Sequence, residues 1–511
     1  MSSKCEIRKD AYYDSVTLML ASGKMCDVPG VKNAAAMMGT DHNRALMKAA
    51  GLIDGDLQFS PNDAVIGILA EEDAAVDKAL AALDEFLTKK AASGAKDIKP
   101  KTLEGAKRLL PEANLEIISV PGRFAAAEAE KALDMGMHVL LFSDNVTIED
   151  EIKLKEKAVE KGLLMMGPDC GTAIINGIAL GFANAVRRGG IGLAAAAGTG
   201  LQEATVLIER FGGGVSQALG TGGRDLKEAV GGLMMKLCLN ALESDPGTDT
   251  IVIVSKPPHP TVMAEIAKQI SAFKKPVVSC FLGGNPEILK GSGAIWAKDI
   301  ESAARIAVSL STGINREKEE EAVSDFASSE ASLYKSGQIH LRGLYSGGTL
   351  CYESMLALGE AGLEIRSNIA QDKKLQLEDP EQSVGHTLLD MGDDYFTNGM
   401  AHPMIDPRQR AQRVLKEAED PSVAVILLDC VGGYGSHENP AGAIAGAIKK
   451  AKRLAAQEGR HLTVVASVCG TEGDPQKRGD QENILREAGA VVAACNGDAA
   501  RLGAEIARKI S

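Results

Sequence analysis

Two stretches of this chain, 150 residues apart, carry one pattern: an apolar run, a Gly-Thr turn and the start of a helix. Ile191-Gly-Leu-Ala-Ala-Ala-Ala-Gly198-Thr199-Gly-Leu-Gln-Glu203 lays over Leu341-Arg-Gly-Leu-Tyr-Ser-Gly-Gly348-Thr349-Leu-Cys-Tyr-Glu353, so Gly198/Gly348, Thr199/Thr349 and Glu203/Glu353 share one offset. Further on, Glu243-Ser-Asp-Pro246 before the apolar run 250–254 matches Glu419-Asp-Pro421 before 423–428. Pro276-Val-Val-Ser-Cys280 then matches Thr463-Val-Val-Ala-Ser467. Landmarks kept in one order point to an internal duplication. Each copy reads strand, Gly-Thr turn, helix, acidic turn, strand, loop, helix, strand. That is the rhythm of a parallel, doubly wound α/β sheet, in which ligands sit beyond the carboxyl ends of the strands.

The rest of the chain is placed around this repeat. Residues 117–120, 139–142 and 163–166 read as short strands, with helices expected at 125–135 and 149–161 between them. Before them, 15–21 and 64–69 look β-like, and 31–50 and 74–89 look helical. A Lys-rich break at 96–101 closes this small α/β region. The charged run 316–321 opens a helix-plus-linker segment to about 337. The expected domains are therefore 1–110, 111–188, 189–312, a linker at 313–337, and 338–511. At 511 residues the chain is too long for one core.

Composition narrows the function. Hydrophobic residues at 45% and charged residues at 24% are ordinary for a globular protein. A net charge of −13 gives no support to nucleic-acid binding, while leaving room for a local anion pocket. Nine scattered cysteines, with no CxxC and no Cys/His cluster, read as reduced thiols in a cytoplasmic protein, with no metal site. The first ten residues are polar, and there is no apolar run long enough to span a bilayer, so no membrane partner is expected.

Chemistry is sought in the turns. Gly198-Thr199-Gly200 and Gly347-Gly348-Thr349 each end a strand and open a helix, where free N–H groups and the helix dipole favour an anion. A plain cap is the alternative, since Thr199-Gly-Leu-Gln202 fits a capping box. Val431-Gly432-Gly433-Tyr-Gly-Ser-His437 follows another strand. Its glycines would let backbone approach a phosphate, and His437 is the best candidate for proton or phosphate chemistry. Gly220-Thr-Gly-Gly-Arg224-Asp225 is mirrored by Asp390-Met-Gly-Asp393-Asp394, with a carboxylate in both that could hold a metal or orient a helix; a solvated turn is the alternative. Lys256-Pro-Pro-His259-Pro260 reads as a rigid turn. In Gly167-Pro168-Asp169-Cys170, the thiol reads as a small buried apolar group.

These motifs together resemble the α subunit of succinyl-CoA synthetase and the wider NDP-forming acyl-CoA synthetases. Val120-Pro-Gly-Arg-Phe124, Gly167-Pro168-Asp169-Cys170, Ala197-Gly198-Thr199-Gly200 and Gly222-Gly223-Arg224-Asp225 stand where that family has comparable motifs. Ser346-Gly-Gly-Thr-Leu-Cys-Tyr-Glu353 repeats the helix start, and Gly432-Gly433 lies where the β subunit has a phosphate-binding turn. A CoA-ligase-like core followed by a second ligase-like domain is similar to the FdrA family. The resemblance implies a Rossmann-like CoA-binding domain and flavodoxin-like ligase domains. It also implies a subunit of a multi-component enzyme of allantoin nitrogen catabolism, converting oxalurate and phosphate to oxamate and carbamoyl phosphate.

Two departures qualify it. The loop 283–294, where the synthetases form phosphohistidine, has no histidine, and residues 1–60 hold no Gly-rich CoA loop. No cofactor is fixed by the sequence. Phosphate or carbamoyl phosphate is the expected ligand, CoA remains open, and a small anionic substrate and further protein subunits are the expected partners, with a homo-oligomer also compatible. An acyl-CoA ligase completed by a nucleotide-binding partner and a non-catalytic scaffold are the competing readings.

Overall fold

The computed structural model describes residues 2–510 apart from 10, 12, 14, 54–56, 93–99, 101, 317–322 and 399. The chain forms two compact units, Met1–Ala106 with Asn398–Ala401, and Lys107–Thr397 with His402–Ser511.

The first unit runs β1 (Ser2–Arg8), α1 (Ser15–Cys26), β2 (Val31–Met38), α2 (Asp41–Ala49), β3 (Ala64–Ala70), α3 (Asp73–Ala92). Its strands form an antiparallel sheet in the order β1-β3-β2. Alternation along β3 gives the sheet two faces. Ile66, Ile68 and Ala70 pack with Leu18, Ala21 and Met25 of α1 and with Val76, Ala79 and Leu83 of α3. Val65 packs on the opposite face against Met47 of α2.

Two expectations are corrected here. Residues 15–21 are helical, because the buried Leu18, Ala21 and Met25 recur at helical spacing and so override the β-branched start. Residues 31–50 divide. The alanine-rich stretch Val31–Met38 is a strand with Ala34 and Ala36 turned inward, and a helix begins only after Thr40, whose side chain accepts from the Asn43 N–H. Sheet pairing outweighs alanine's helix preference there. The Lys-rich break falls largely outside the described residues.

In the second unit, α4 (Leu103–Leu109) precedes a three-stranded parallel sheet of β4 (Leu115–Ile118), β5 (His138–Leu141) and β6 (Met165–Met166). Helices α5 (Gly122–Asp134) and α6 (Ile148–Lys161) connect its strands. A hairpin of β7 (Thr172–Ile175) and β8 (Ile178–Gly181) then joins the next sheet, which therefore begins before the boundary expected at 188.

That sheet continues through β9 (Arg188–Ala195), α7 (Gly198–Arg210), β10 (Val215–Gly220), α8 (Leu233–Ser244), β11 (Thr250–Ser255), α9 (Pro260–Ile270), β12 (Val277–Phe281), β13 (Ile295–Trp296) and α10 (Ile300–Thr312). Its order is β13-β12-β11-β9-β10-β7-β8. After α11 (Val323–Ala331) come β14 (His340–Tyr345), α12 (Gly348–Glu360), β15 (Ile365–Ser367), β16 (His386–Asp390), α13 (Asp394–Thr397) and α14 (Arg408–Glu419). The chain ends with β17 (Val423–Val431), α15 (Pro440–Gln457), β18 (Thr463–Cys469), α16 (Arg478–Glu487), β19 (Val491–Ala493) and α17 (Asn496–Ile510). This second sheet is wholly parallel, in the order β15-β16-β14-β17-β18-β19.

The duplication is visible in the strand order. β9 lies between β10 and β11, and β14 lies between β16 and β17. The expected repeat omitted the strand–helix pair β10–α8 and its counterpart β16–α14. The central strands are buried along their length, β17 on all nine residues, as suits a parallel sheet covered on both faces. The two copies also share their cores: Val206 of α7 packs within the second copy, and Tyr352 of α12 within the first. The α/β, doubly wound class is therefore observed. Among the described residues no helix is long and apolar enough to cross a membrane.

Candidate functional site

The strand–turn–helix pattern places the starts of α7 and α12 at the carboxyl ends of β9 and β14, and the fold brings these two starts into contact. Thr349 lies against Gly200, where a Cβ would meet its methyl at 2.7 Å; Thr199 lies against Gly347, where a Cβ would meet its Cγ2 and Oγ1 at 2.7 Å. The contact is reciprocal, each threonine filling space left by a glycine of the other copy. Neither helix start has a side-chain cap. The capping box open to Thr199 and Gln202 is not made, since Gln202 donates instead to Phe182 O, Asn184 Oδ1 and Gly432 O. Among the described residues no side chain bonds the first-turn N–H groups of either helix, and two positive dipole ends meet.

The second shared landmark, Glu203/Glu353, is reciprocal too. Glu353 of α12 accepts from the Ile300 N–H (3.0 Å), capping α10 of the first copy, and from Asn496 Nδ2 (2.8 Å). Glu203 of α7 accepts from the Asn496 N–H (3.2 Å), capping α17 of the second copy. Burial raises both carboxyls, Glu353 to about 7.

The start of α12 is braced from behind. Asp429, near the end of β17, accepts from the N–H and hydroxyl of Ser346 and the N–H of Gly347 (2.9–3.0 Å), and pairs with Arg410 at 2.7 Å. Asp390 at the end of β16 lies against Gly348, and burial raises its carboxyl to about 7. His402, a residue the sequence reading passed over, lies against Gly392. Its Nδ1 accepts from the Met404 N–H (3.2 Å), which leaves the neutral ring's proton on Nε2. Burial, with the charge of Arg410, pushes its pKa down to about 4. No motif surrounds His402 in the sequence; only the return of the chain after α13 places it.

The remaining candidates lie elsewhere. Asp225 is fully buried; it accepts from Lys155 Nζ (2.8 Å) and from the N–H groups of Met234 and Met235, capping α8. Arg224 pairs with Glu151 (2.8 Å) and donates to Val146 O. The Gly220–Asp225 turn is thus a joint to α6, with no side-chain oxygen left for a ligand at Asp225. Asp169 has a positive φ of 56°, and its carboxyl is raised to about 6 by the protein packed around it and by Asp144 and Asp394. Burial pushes Cys170 up to about 12.

The expectation for Gly432 and Gly433 is corrected. Gly432 N–H donates to Cys469 O (2.9 Å) and Gly433 N–H to Gln476 Oε1 (3.2 Å), so neither amide is free for phosphate. Gly433 (φ +114°) allows close approach to Phe182 O instead. His437 contacts Met404, Asn439 and Gln476, none of them in a Gly-Thr turn.

Residues 344–506 match the CoA-ligase family, and residues 1–102 match the family described as AllF, heavy metal-associated domain. The chain is 45% identical over 509 residues to the uncharacterized protein YahF of Escherichia coli, covering 99% of this chain and 98% of that protein. This chain is a member of the FdrA-like CoA-ligase family. It is also 31% identical over 151 residues to the succinate–CoA ligase [ADP-forming] subunit alpha of Methanothermobacter thermautotrophicus, covering 28% of this chain and 49% of that subunit. With the ADP-forming sulfoacetate-CoA ligase subunit SauD of Bilophila wadsworthia it shares 26% identity over 181 residues, covering 34% of this chain and 60% of SauD. This FdrA-like protein therefore belongs to the acyl-CoA synthetase superfamily, and it spans about half to three-fifths of those two subunits.

The metal in the name of the N-terminal family does not fit the thiols of this member. Cys5 packs on the α2 face of the sheet, whereas Cys26 packs on the face covered by α1 and α3, with its Sγ donating to Ala34 O at 3.4 Å. Thiols on opposite faces cannot chelate one ion. Glu301, Cys495 and Asp498 do converge in the second unit, but Arg501 pairs with both Glu301 and Asp498 at 2.8 Å, which makes the group an ion-pair network.

Proposed function

We propose that this FdrA-like chain is a subunit of a phosphate-dependent acyl or carbamoyl transferase, of the type that converts oxalurate and phosphate to oxamate and carbamoyl phosphate. The observation that carries the reading is the meeting of two uncapped helix starts, Gly198-Thr199-Gly200 and Gly348-Thr349, with their N–H groups left for an anion. In the reaction a phosphate oxygen attacks the carbamoyl carbon. The bond from that carbon to the oxamate nitrogen breaks, and the nitrogen takes a proton. No nucleotide or CoA enters this balance; the step needs positioning and donors aimed at developing negative charge. The absence of histidine from the loop 283–294 fits free phosphate as the reactant in place of a phosphoenzyme.

The second reading, an acyl-CoA ligase half completed by a nucleotide-binding partner, is favoured by the CoA-ligase match over residues 344–506. One experiment separates the two. The chain is purified with the subunits that accompany it and supplied with oxalurate and phosphate, or with a carboxylate, CoA and ATP. Carbamoyl phosphate formed in the first mixture, and lost in Thr199→Val/Thr349→Val, supports the transferase. CoA-dependent ATP consumption without carbamoyl phosphate overturns it.

A further inference from the structure

Resting on that reading, we infer that Lys256 is the cationic ligand of the anion site, lent by the first copy to the helix start of the second. Lys256 directly follows β11, the strand beside β9, and Pro257, Pro258 and Pro260 restrict the loop that carries it. Its ammonium lies 5.3 Å from the ring centroid of Tyr352, in the second turn of α12. Its charge acts on both Asp390 and Cys351, which belong to the second copy.

What surrounds Lys256 argues for a ligand. It makes no ion pair or hydrogen bond among the described residues, while Arg410 is taken by Asp429 and Arg224 by Glu151. The loop at Gly283, part of the segment that lacks the synthetases' histidine, closes one side, because a Cβ there would meet Leu356 and Tyr352 Oη at 3.0–3.3 Å. Two further groups lie at the start of α12. Thr349 is 5% exposed, its methyl is packed on Gly200, and its hydroxyl has no partner among the described residues. Asp390 is 8% exposed and lies against Gly348. One of its oxygens accepts from the Gly392 N–H, and the other has no hydrogen-bond partner among the described residues. An ammonium with no ion pair and a hydroxyl with no hydrogen-bond partner among the described residues, with uncapped N–H groups, form a donor set for a small tetrahedral dianion. A compact point charge suits such a ligand, which offers oxygens in several directions.

The test titrates inorganic phosphate into the full chain by calorimetry at low and moderate salt, for the wild type, Lys256→Met, Lys256→Arg and Lys268→Met, the last being an exposed lysine of α9. Wild-type binding that weakens by about 10-fold or more in Lys256→Met, with a shallower salt dependence, is the expected result, since a charge-assisted bond is worth on the order of 10- to 100-fold. Lys256→Arg should restore most of the affinity, and Lys268→Met should match the wild type. If Lys256→Met binds phosphate as the wild type does while Thr349→Val does not, Lys256 is no ligand and the phosphate site stands. If the wild type binds no phosphate, the transferase reading and the role of Lys256 fall together.

Discussion

The two copies of the ligase-like unit keep one scaffold and divide its charges. In the first, the turn before α7 is a run of alanines, Ala194 to Ala197, whose only side-chain hydrogen bond among the described residues comes from the Thr221 hydroxyl, which donates to Ala195 O at 3.4 Å. In the second, the turn before α12 hangs on Asp429, which is held in turn by Arg410, and Asp390 stands where the first copy has Gly220. Gly220 pairs with Ala195 and Asp390 with Tyr345, each partner three residues ahead of its helix start, so the positions correspond. Lys256, which has no ion pair among the described residues, belongs to the first copy, and Asp390 and Asp429 belong to the second. Duplication has preserved the geometry that aims two helix dipoles at one place, while the groups around that place are no longer equivalent.

That asymmetry can be broken most severely at Asp429. Asp429→Ala strands a buried guanidinium and removes the acceptor for two backbone amides, so a loss of about 3–5 kcal/mol is expected by chemical unfolding. The first copy has no charged brace to compare with it among the described residues, only the neutral hydrogen bond from Thr221. A loss below about 1 kcal/mol would mean that the turn before α12 is held by packing alone.

The contact between helix starts can be broken next. Gly347 has φ −121° and ψ 116°, which any residue adopts, so Gly347→Ala acts only by crowding Thr199. Overpacking of this kind costs about 1–3 kcal/mol. Removing the opposing side chain in Gly347→Ala/Thr199→Gly should recover most of it, since Thr199 Cβ itself would lie 2.8 Å from the new methyl, and a double-mutant cycle reads this directly. No recovery would show that the two turns do not touch as described.

Much of this was legible in the sequence and some was not, for identifiable reasons. The paired Gly-Thr turns and the Glu203/Glu353 register could be read because a repeat shows itself twice. The parallel strands could be read because burial on both faces makes them continuously apolar. The strand Val31–Met38 could not, because Ala34, Ala35 and Ala36 look helical until a neighbouring strand pairs with them. Gly432 and Gly433 looked like phosphate donors, since a sequence shows that an amide is present and not what it already bonds. Lys256 passed as part of a rigid turn for a related reason. Its significance lies in Tyr352 and Asp390, about 100 and 130 residues away in the chain.

The subtlest test of the comparison concerns the exchanged caps. Glu353 accepts from two groups of known geometry, one in each copy, whereas Glu203 holds the Asn496 N–H at a longer 3.2 Å. Glu353→Gln keeps only one acceptor oxygen and should cost about 1 kcal/mol. Its clearer signature is in pH dependence. A carboxyl whose pKa is raised by folding holds its proton more tightly in the folded state. The stability it confers is therefore full below its ordinary value of 4.5 and is lost as pH rises through about 7. Asp390, raised to about 7, acts with the same sign. The urea midpoint of the wild type should therefore fall between about pH 5 and 8, and that of Glu353→Gln should fall less steeply because one of these groups no longer titrates. An unchanged slope would mean that Glu353 stays ionised between the copies, its charge offset by the two helix ends it joins.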